Sequence, residues 1–173
     1  MIGALPPLSP VEKLTAEHDV APFDCGREEL NRYLKRFALA SQRANSAQTY
    51  VVARSGVIVG YYSLAVGAVS AEDAPERVRK GLARHPIPVM ILARLAVDRR
   101  EQGRGLGKGL LKNALLRTAR AADIAGIRAM FVAAKDDQAR AFYEHFNFDP
   151  APTDRRHMYL LMKDLQRLVS SEA

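Results

Sequence analysis

Chemistry in this chain concentrates between Leu95 and Leu111. A short apolar strand end, Leu95-Ala96-Val97, runs into Asp98-Arg99-Arg100-Glu101-Gln102-Gly103-Arg104-Gly105, and Leu106-Gly107-Lys108-Gly109 then opens a helix. Glycines lack a Cβ, so the backbone curls tightly and comes close to a ligand. The first N–H groups of a helix have no intrahelical acceptor and point outward with the positive end of the dipole. Together these features describe an anion cradle, and a pyrophosphate suits it best. Arg99, Arg104 and Lys108 strengthen that reading, because three cations on one turn repel each other unless an anion lies among them. Two common phosphate loops are excluded. No Gly-Lys-Ser/Thr ends the turn, and Gly103, Gly105 and Gly107 lack the Gly-x-Gly-x-x-Gly spacing. The alternative is a tight structural turn without a ligand.

Other reactive residues are scattered. Cys25 is the single cysteine, so no intrachain disulfide forms, and it lacks an activating neighbour; a packed or capping thiol is expected. His18, His85, His145 and His157 are dispersed and read as structural or surface residues, and no Cys/His cluster has metal-site spacing. No metal is expected. The chain has 173 residues with 48% hydrophobic and 26% charged, enough for one domain, residues 1–173, with a real core. No basic leader or long apolar run predicts secretion or a membrane span, and the cytoplasm is the expected compartment. Lys and Arg number 26 against 19 Asp and Glu, a net +7 that makes a polyanionic partner plausible. With no Trp and 7% aromatic residues, nucleic-acid contact would be mainly to phosphate.

The surrounding elements must position the turn. A helix start is expected near Asp24 or Cys25, with Glu28 and Glu29 in its first turn and Leu30, Tyr33, Leu34, Phe37 and Ala38 on an apolar face. Arg27, Arg32, Lys35, Arg36 and Arg43 fall on or beyond the other side. Thr49–Arg54 and Val57–Ala65 read as a hairpin joined by Ser55-Gly56. Residues 71–88 read as a loop or short helix carrying Arg77, Arg79, Lys80 and Arg84, and Val89–Val97 as a strand buried on both faces. A helix from Leu106 to Ile124, stopped by Gly126, presents Leu110, Leu111, Ala114, Leu115 and Thr118 on one side. Strand 127–134, helix 136–146 and strand 158–162 complete an α/β (α+β) fold, a mixed sheet with helices on both faces.

The turn resembles the acetyl-CoA signature of the GNAT acetyltransferases, Gln/Arg-x-x-Gly-x-Gly/Ala, which Gln102, Gly105 and Gly107 meet. The stretch Ala139-Arg140-Ala141-Phe142-Tyr143-Glu144-His145-Phe146-Asn147-Phe148 is similar to that family's Ala-x-x-Phe-Tyr-x-x-x-Gly-Phe. The resemblance implies the GNAT fold, with a mostly antiparallel sheet, and acetyl-CoA held by Leu95, Ala96, Val97, the turn residues, Ala139 and Phe142. It places Tyr143 at the thioester sulfur, where a phenol can donate a proton to the departing thiolate. The alternative for Tyr143 is a core residue paired with Phe142. Two departures stand out: Asp136 replaces an Asn common near the pantetheine arm, and Asn147 replaces a Gly, which Asn can do because it tolerates the left-handed conformation.

Two features bear on the acceptor. The strand 89–97 offers no carboxylate or His as a base, which suits an α-amine with pKa near 7.7–8.0 better than a lysine near 10.4. The placement of Arg and Lys disfavours a small cationic amine. Leu30–Ala38, Gly60–Ala65 and Pro86–Asp98 look like GNAT toxins of bacterial type II toxin-antitoxin modules, a resemblance running from about Leu8 to Leu165. It implies acetylation of the α-amine on aminoacyl-tRNA, which blocks translation, a homodimer, and inhibition by a ribbon-helix-helix antitoxin. Arg32, Lys35, Arg36, Arg43, Arg77 and Lys80 are then candidate tRNA contacts; a merely solvated basic face is the alternative. Arg94, inside an apolar strand, needs a partner: it lines an acceptor cleft or forms a buried ion pair. Two other functions stay open: a GNAT acting on a protein N-terminus or small amine, and a non-catalytic acyl-CoA-binding module that binds a partner or operator.

Overall fold

The structure, a computed structural model, describes residues 4–82 and 86–171. Arg84 and His85 lie outside the described residues. Among the described residues seven strands form a sheet: β1 (Glu12–Lys13), β2 (Gln48–Arg54), β3 (Val57–Val69), β4 (Ile87–Val97), β5 (Ala129–Ala133), β6 (Asp149–Pro150) and β7 (His157–Leu161). Their order is β1-β2-β3-β4-β5-β7-β6, with β4 and β5 parallel and β1–β2, β2–β3, β5–β7 and β6–β7 antiparallel. The helices are α1 (Glu28–Arg32), α2 (Ala38–Arg43), α3 (Glu76–Arg79), α4 (Leu106–Ala122), α5 (Asp137–His145) and α6 (Met162–Ser170), and a π turn over Tyr33–Phe37 joins α1 to α2. The chain divides into two compact units, Met1–Leu64 with Arg94–Asn113, and Ala65–Ala93 with Ala114–Ala173.

The first unit is built on the expected hairpin. Ser55 and Gly56 both have positive φ, 50° and 79°, the tight turn whose twist matches the strands it joins. Its core packs Leu14, Phe23, Tyr33, Leu34, Ile58, Tyr61 and Ala96. The first helix starts later than the sequence suggests. Arg27 occupies the N-cap position without a side-chain cap, while Asp24 accepts from the Gly26 N–H and the Asn31 amide, and Asn31 in turn accepts from the Cys25 N–H. Phe37 departs from the expected apolar face altogether. Ala38 donates its N–H to Tyr33, five residues back, so Ala38 is brought over the buried Tyr33 and Phe37 is left 52% exposed.

In the second unit, Ala74, Val78, Ile87, Val89, Ala129, Tyr159 and Leu161 form the core. Leu110, Leu111, Ala114, Leu115 and Thr118 of α4 are all buried, as the periodicity requires. The helix ends at Ala122, four residues before Gly126, with Ile124 turned outward at 90% exposure. Gly126 has no positive φ and is not the stop signal. Strand β4 is less enclosed than its composition suggests: Val89, Met90, Leu92 and Ala96 are buried, but Ala93 is exposed and Arg94 half-buried. Helix α6, whose first residue reads as the end of a strand, was not expected; Met162 and Leu165 bury its inner side. Among the described residues, no helix is long and apolar enough to cross a membrane, and no group of three His, Cys, Asp or Glu could hold a metal.

Candidate active site

The glycine turn is held by its own side chains. Gln102 donates from Nε2 to the Val97 carbonyl at 2.8 Å and to the Cys25 carbonyl at 3.0 Å, tying the end of β4 and the segment before α1 to the turn. Gly103 and Gly105 adopt φ of +81° and +84°, a region that costs any L side chain energy, and a Cβ at either would meet no other atom within 4 Å. Glycine is needed there for backbone conformation, and the space beside it is open. Gly105 accepts the first helical bond, from the Gly109 N–H at 3.1 Å, so the N–H groups of Leu106, Gly107 and Lys108 have no acceptor within α4. No acidic residue occupies that first turn. Gly60 brings α4 against the hairpin: a Cβ on it would lie 2.9 Å from Leu110 Cδ1 and 3.3 Å from Leu106 Cδ2.

The cations of this turn are less free than the sequence implies. Asp98 is 1% exposed and accepts from the Arg100 guanidinium at 2.9 and 3.0 Å, the Arg100 N–H at 2.9 Å and the Asp24 N–H at 3.0 Å. Glu101 is 5% exposed and takes Arg54 at 2.7 and 3.3 Å, with Arg104 3.9 Å away. Arg99 approaches Asp24 at 3.9 Å. Burial raises the Asp98 carboxyl, but the hydrogen bonds of Arg100 outweigh it and hold the group below the usual carboxylate range; Arg54 does the same for Glu101. Carboxylates therefore relieve the crowding that seemed to require an external anion. What remains for a pyrophosphate is the open N-terminus of α4 beside exposed Lys108.

The second unit carries Tyr143 on α5. Asp136 caps this helix, accepting from the Ala139 N–H at 2.7 Å, so the residue that departs from the common Asn has a structural task. At the other end Asn147 stands at φ 68°, donates to Glu144 at 2.9 Å, and Phe148 donates to Tyr143 at 3.2 Å. This is a Schellman motif, and Asn147 fills its left-handed position as expected. The motif also brings Phe148 onto Tyr143, with ring centroids 5.3 Å apart, while Phe142 meets the same ring edge-on at 5.2 Å. Tyr143 is 6% exposed, and burial pushes its phenol well above the ordinary value of 10, so it stays protonated at neutral pH. Ala139 and Phe142 are half-buried on the same helix.

The candidate nucleic-acid contacts divide sharply. Arg32, Lys35, Arg36 and Arg43 are exposed along α1, the π turn and α2, and none has a carboxylate within 4.0 Å among the described residues. Arg77 is different: Asp164 holds it at 2.8 and 3.2 Å and Asp149 lies 3.6 Å away. Lys80 is exposed at the end of α3, where its carbonyl accepts from Arg128 at 3.0 Å. Arg94 finds an aromatic partner, its guanidinium 3.5 Å from the centroid of the Tyr33 ring, which stacks in turn on Tyr61. The sequence reading missed Asp98 and Glu101 as the residues that organise the turn. Their signal was available, since two acids among three arginines within the seven residues 98–104 are suited to pairing.

Residues 12–148 match the model of the acetyltransferase (GNAT) family. The chain is 47% identical over 157 residues to a tRNA-acetylating toxin of Mycobacterium tuberculosis, covering 91% of this chain and 94% of that protein. Among solved structures it is similar to AtaT complexed with acetyl-methionyl-tRNAfMet, with a TM-score of 0.86, 29% identity and coverage of 94% and 99%. A mutant AtaT toxin bound to the C-terminus of the antitoxin AtaR and acetyl-CoA gives a TM-score of 0.79, 29% identity and coverage of 93% and 97%. The family match takes in both the glycine turn and the helix of Tyr143, and the chain belongs to the GNAT acetyltransferase family.

Proposed function

We propose that this chain is an acetyl-CoA-dependent N-acetyltransferase toxin that acetylates the α-amine of aminoacylated tRNA and so blocks translation. The single observation that carries the reading is the 47% identity, over nearly the full length of both chains, to a tRNA-acetylating toxin. Acetyl-CoA supplies an activated acetyl thioester. The open N-terminus of α4, with Gly103 and Gly105 in conformations only glycine adopts freely and no acid in the first turn, fits its pyrophosphate. By the family resemblance Leu95, Ala96, Val97, Ala139 and Phe142 would hold the cofactor, and Gln102 keeps the turn in shape. Tyr143 holds the proton needed at sulfur, since a buried phenol is protonated across the neutral range.

The acceptor enters with little help from a base. Strand β4 offers no carboxylate or imidazole, and an α-amine is already partly neutral near pH 7.5. Arg32, Lys35, Arg36 and Arg43 hold phosphates of the acceptor, with Lys80 a further contact; Arg77 is neutralised within its own unit and is left out of this set. The chain works as one acetyltransferase domain, in a homodimer, in the cytoplasm, and a ribbon-helix-helix antitoxin inhibits it. The resemblance to type II toxins and the AtaR-bound relative support these partners. Incubation with labelled acetyl-CoA and a pool of tRNAs, charged and uncharged, tests the function. Label is expected on the amino acid of charged tRNA only; label on protein N-termini or small amines instead would overturn the assignment.

A further inference from the structure

The π turn that interrupts the first helical segment has a chemical consequence at Phe37. In an uninterrupted α-helix, Leu30, Leu34 and Phe37 share one face, and Phe37 would be buried. Here Tyr33 is fixed inward between the Arg94 guanidinium and the Tyr61 ring, and Ala38 closes over it with an i to i−5 hydrogen bond. One extra residue is accommodated in that turn, and Phe37 is the residue rotated out, at 52% exposure. It emerges on the segment that carries Arg32, Lys35, Arg36 and Arg43, exposed cations with no carboxylate partner among the described residues. The ring therefore offers an aromatic face beside exposed cations, and an aromatic face flanked by phosphate-binding groups is how proteins hold unpaired nucleotides.

We infer that Phe37 is a stacking residue for an unpaired nucleobase, and that the π turn exists to present it beside the cations that hold the adjoining phosphates. The inference rests on the acceptor reading above and sharpens it, since a charged tRNA ends in unpaired nucleotides whose bases are free to stack. A duplex offers no such base face, so the ring selects single-stranded RNA while the cations bind either form. Arg32 and Arg36 supply charge; Phe37 supplies the preference for an unpaired base.

The experiment compares Phe37→Ala, Phe37→Leu and Phe37→Trp, each checked for unchanged mass in solution and unchanged Tm. The readouts are steady-state acetylation of charged tRNA and anisotropy with a labelled single-stranded oligonucleotide and its duplex. Stacking predicts that Phe37→Ala and Phe37→Leu raise KM by about tenfold or more while kcat holds, weaken single-strand binding by a similar factor, and leave duplex binding unmoved; Phe37→Trp restores both. Restoration by Phe37→Leu would overturn the inference in favour of a generic apolar contact with protein. Transfer by the unsubstituted chain that is undiminished in Phe37→Ala would overturn stacking alone. No transfer by the unsubstituted chain would overturn the acceptor reading, and with it the substrate named for this ring.

Discussion

Two regions of the first unit carry four cations each and use them in opposite ways. Between Asp98 and Lys108, arginines 99, 100 and 104 meet Asp24, Asp98 and Glu101, and the two most buried of these carboxylates hold the turn in place. Between Arg32 and Arg43, four cations lie exposed with no carboxylate in reach among the described residues. The difference teaches that charge written in a sequence is not charge available to a ligand. A guanidinium already paired to a buried carboxylate is part of the scaffold, and releasing it would leave a buried charge uncompensated. An unpaired one at the surface contributes little to folding and is free to displace counterions from a polyanion.

The largest expected effect separates chemistry from both basic regions. Tyr143→Phe keeps the ring packing with Phe142 and Phe148 but removes the phenol proton, and turnover should fall by about 10²-fold or more with RNA binding unchanged. A normal turnover rate in that variant would take Tyr143 out of the mechanism. Next comes the exposed region: Arg32→Gln with Arg36→Gln should lower the salt slope of RNA binding by about one to two in log–log units. The Tm should stay within about 2 °C, as for surface changes. A fall in Tm with an unaltered slope would break the comparison at its more exposed end.

Glu101→Gln probes the paired region and should do the reverse. The Arg54 guanidinium loses its charged partner, and the Tm should drop by about 5 °C while the salt slope holds. The same variant carries a pH signature. Because the folded-state pKa of Glu101 is depressed, the stability it contributes is present above its unfolded value of about 4.3 and is lost as pH falls toward the lower folded value. Thermal melts taken from pH 6 down to pH 3 should therefore show a shallower acid decline in Glu101→Gln than in the unsubstituted chain. The smallest effect lies at the end of α5. Asn147→Gly relieves a left-handed residue at φ 68° and should raise the Tm by about 2 °C, with activity unchanged.

Much of the candidate site's local backbone was legible from residue types because the relevant interactions are local. Gly103 and Gly105 impose a backbone that a few neighbouring residues define, and Asn147 announces a helix end within four residues. The hairpin turn at Ser55-Gly56 and the buried side of α4 follow from the same short-range rules. Long-range partners were not legible. Pairing Arg54 with Glu101 spans 47 residues, and Arg77 with Asp164 spans 87, distances over which periodicity carries no information. Helix α6 was hidden because Met162 continues the apolar run of β7, and composition alone does not say where a strand gives way to a helix.

By itself, the sequence determined where a glycine turn must form, which helix carries the phenol, and that the chain is basic, since each depends on side-chain identity and on spacing within one element. The tertiary structure decided which of those charges are free and which aromatic faces water. Phe37 is the clearest case: its spacing assigns it to the core, yet Arg94 and Tyr61 hold Tyr33 from elsewhere in the first unit, a π turn follows, and the ring is turned outward. A helix face is set by local period only until a tertiary contact fixes one residue more firmly than the backbone fixes the next.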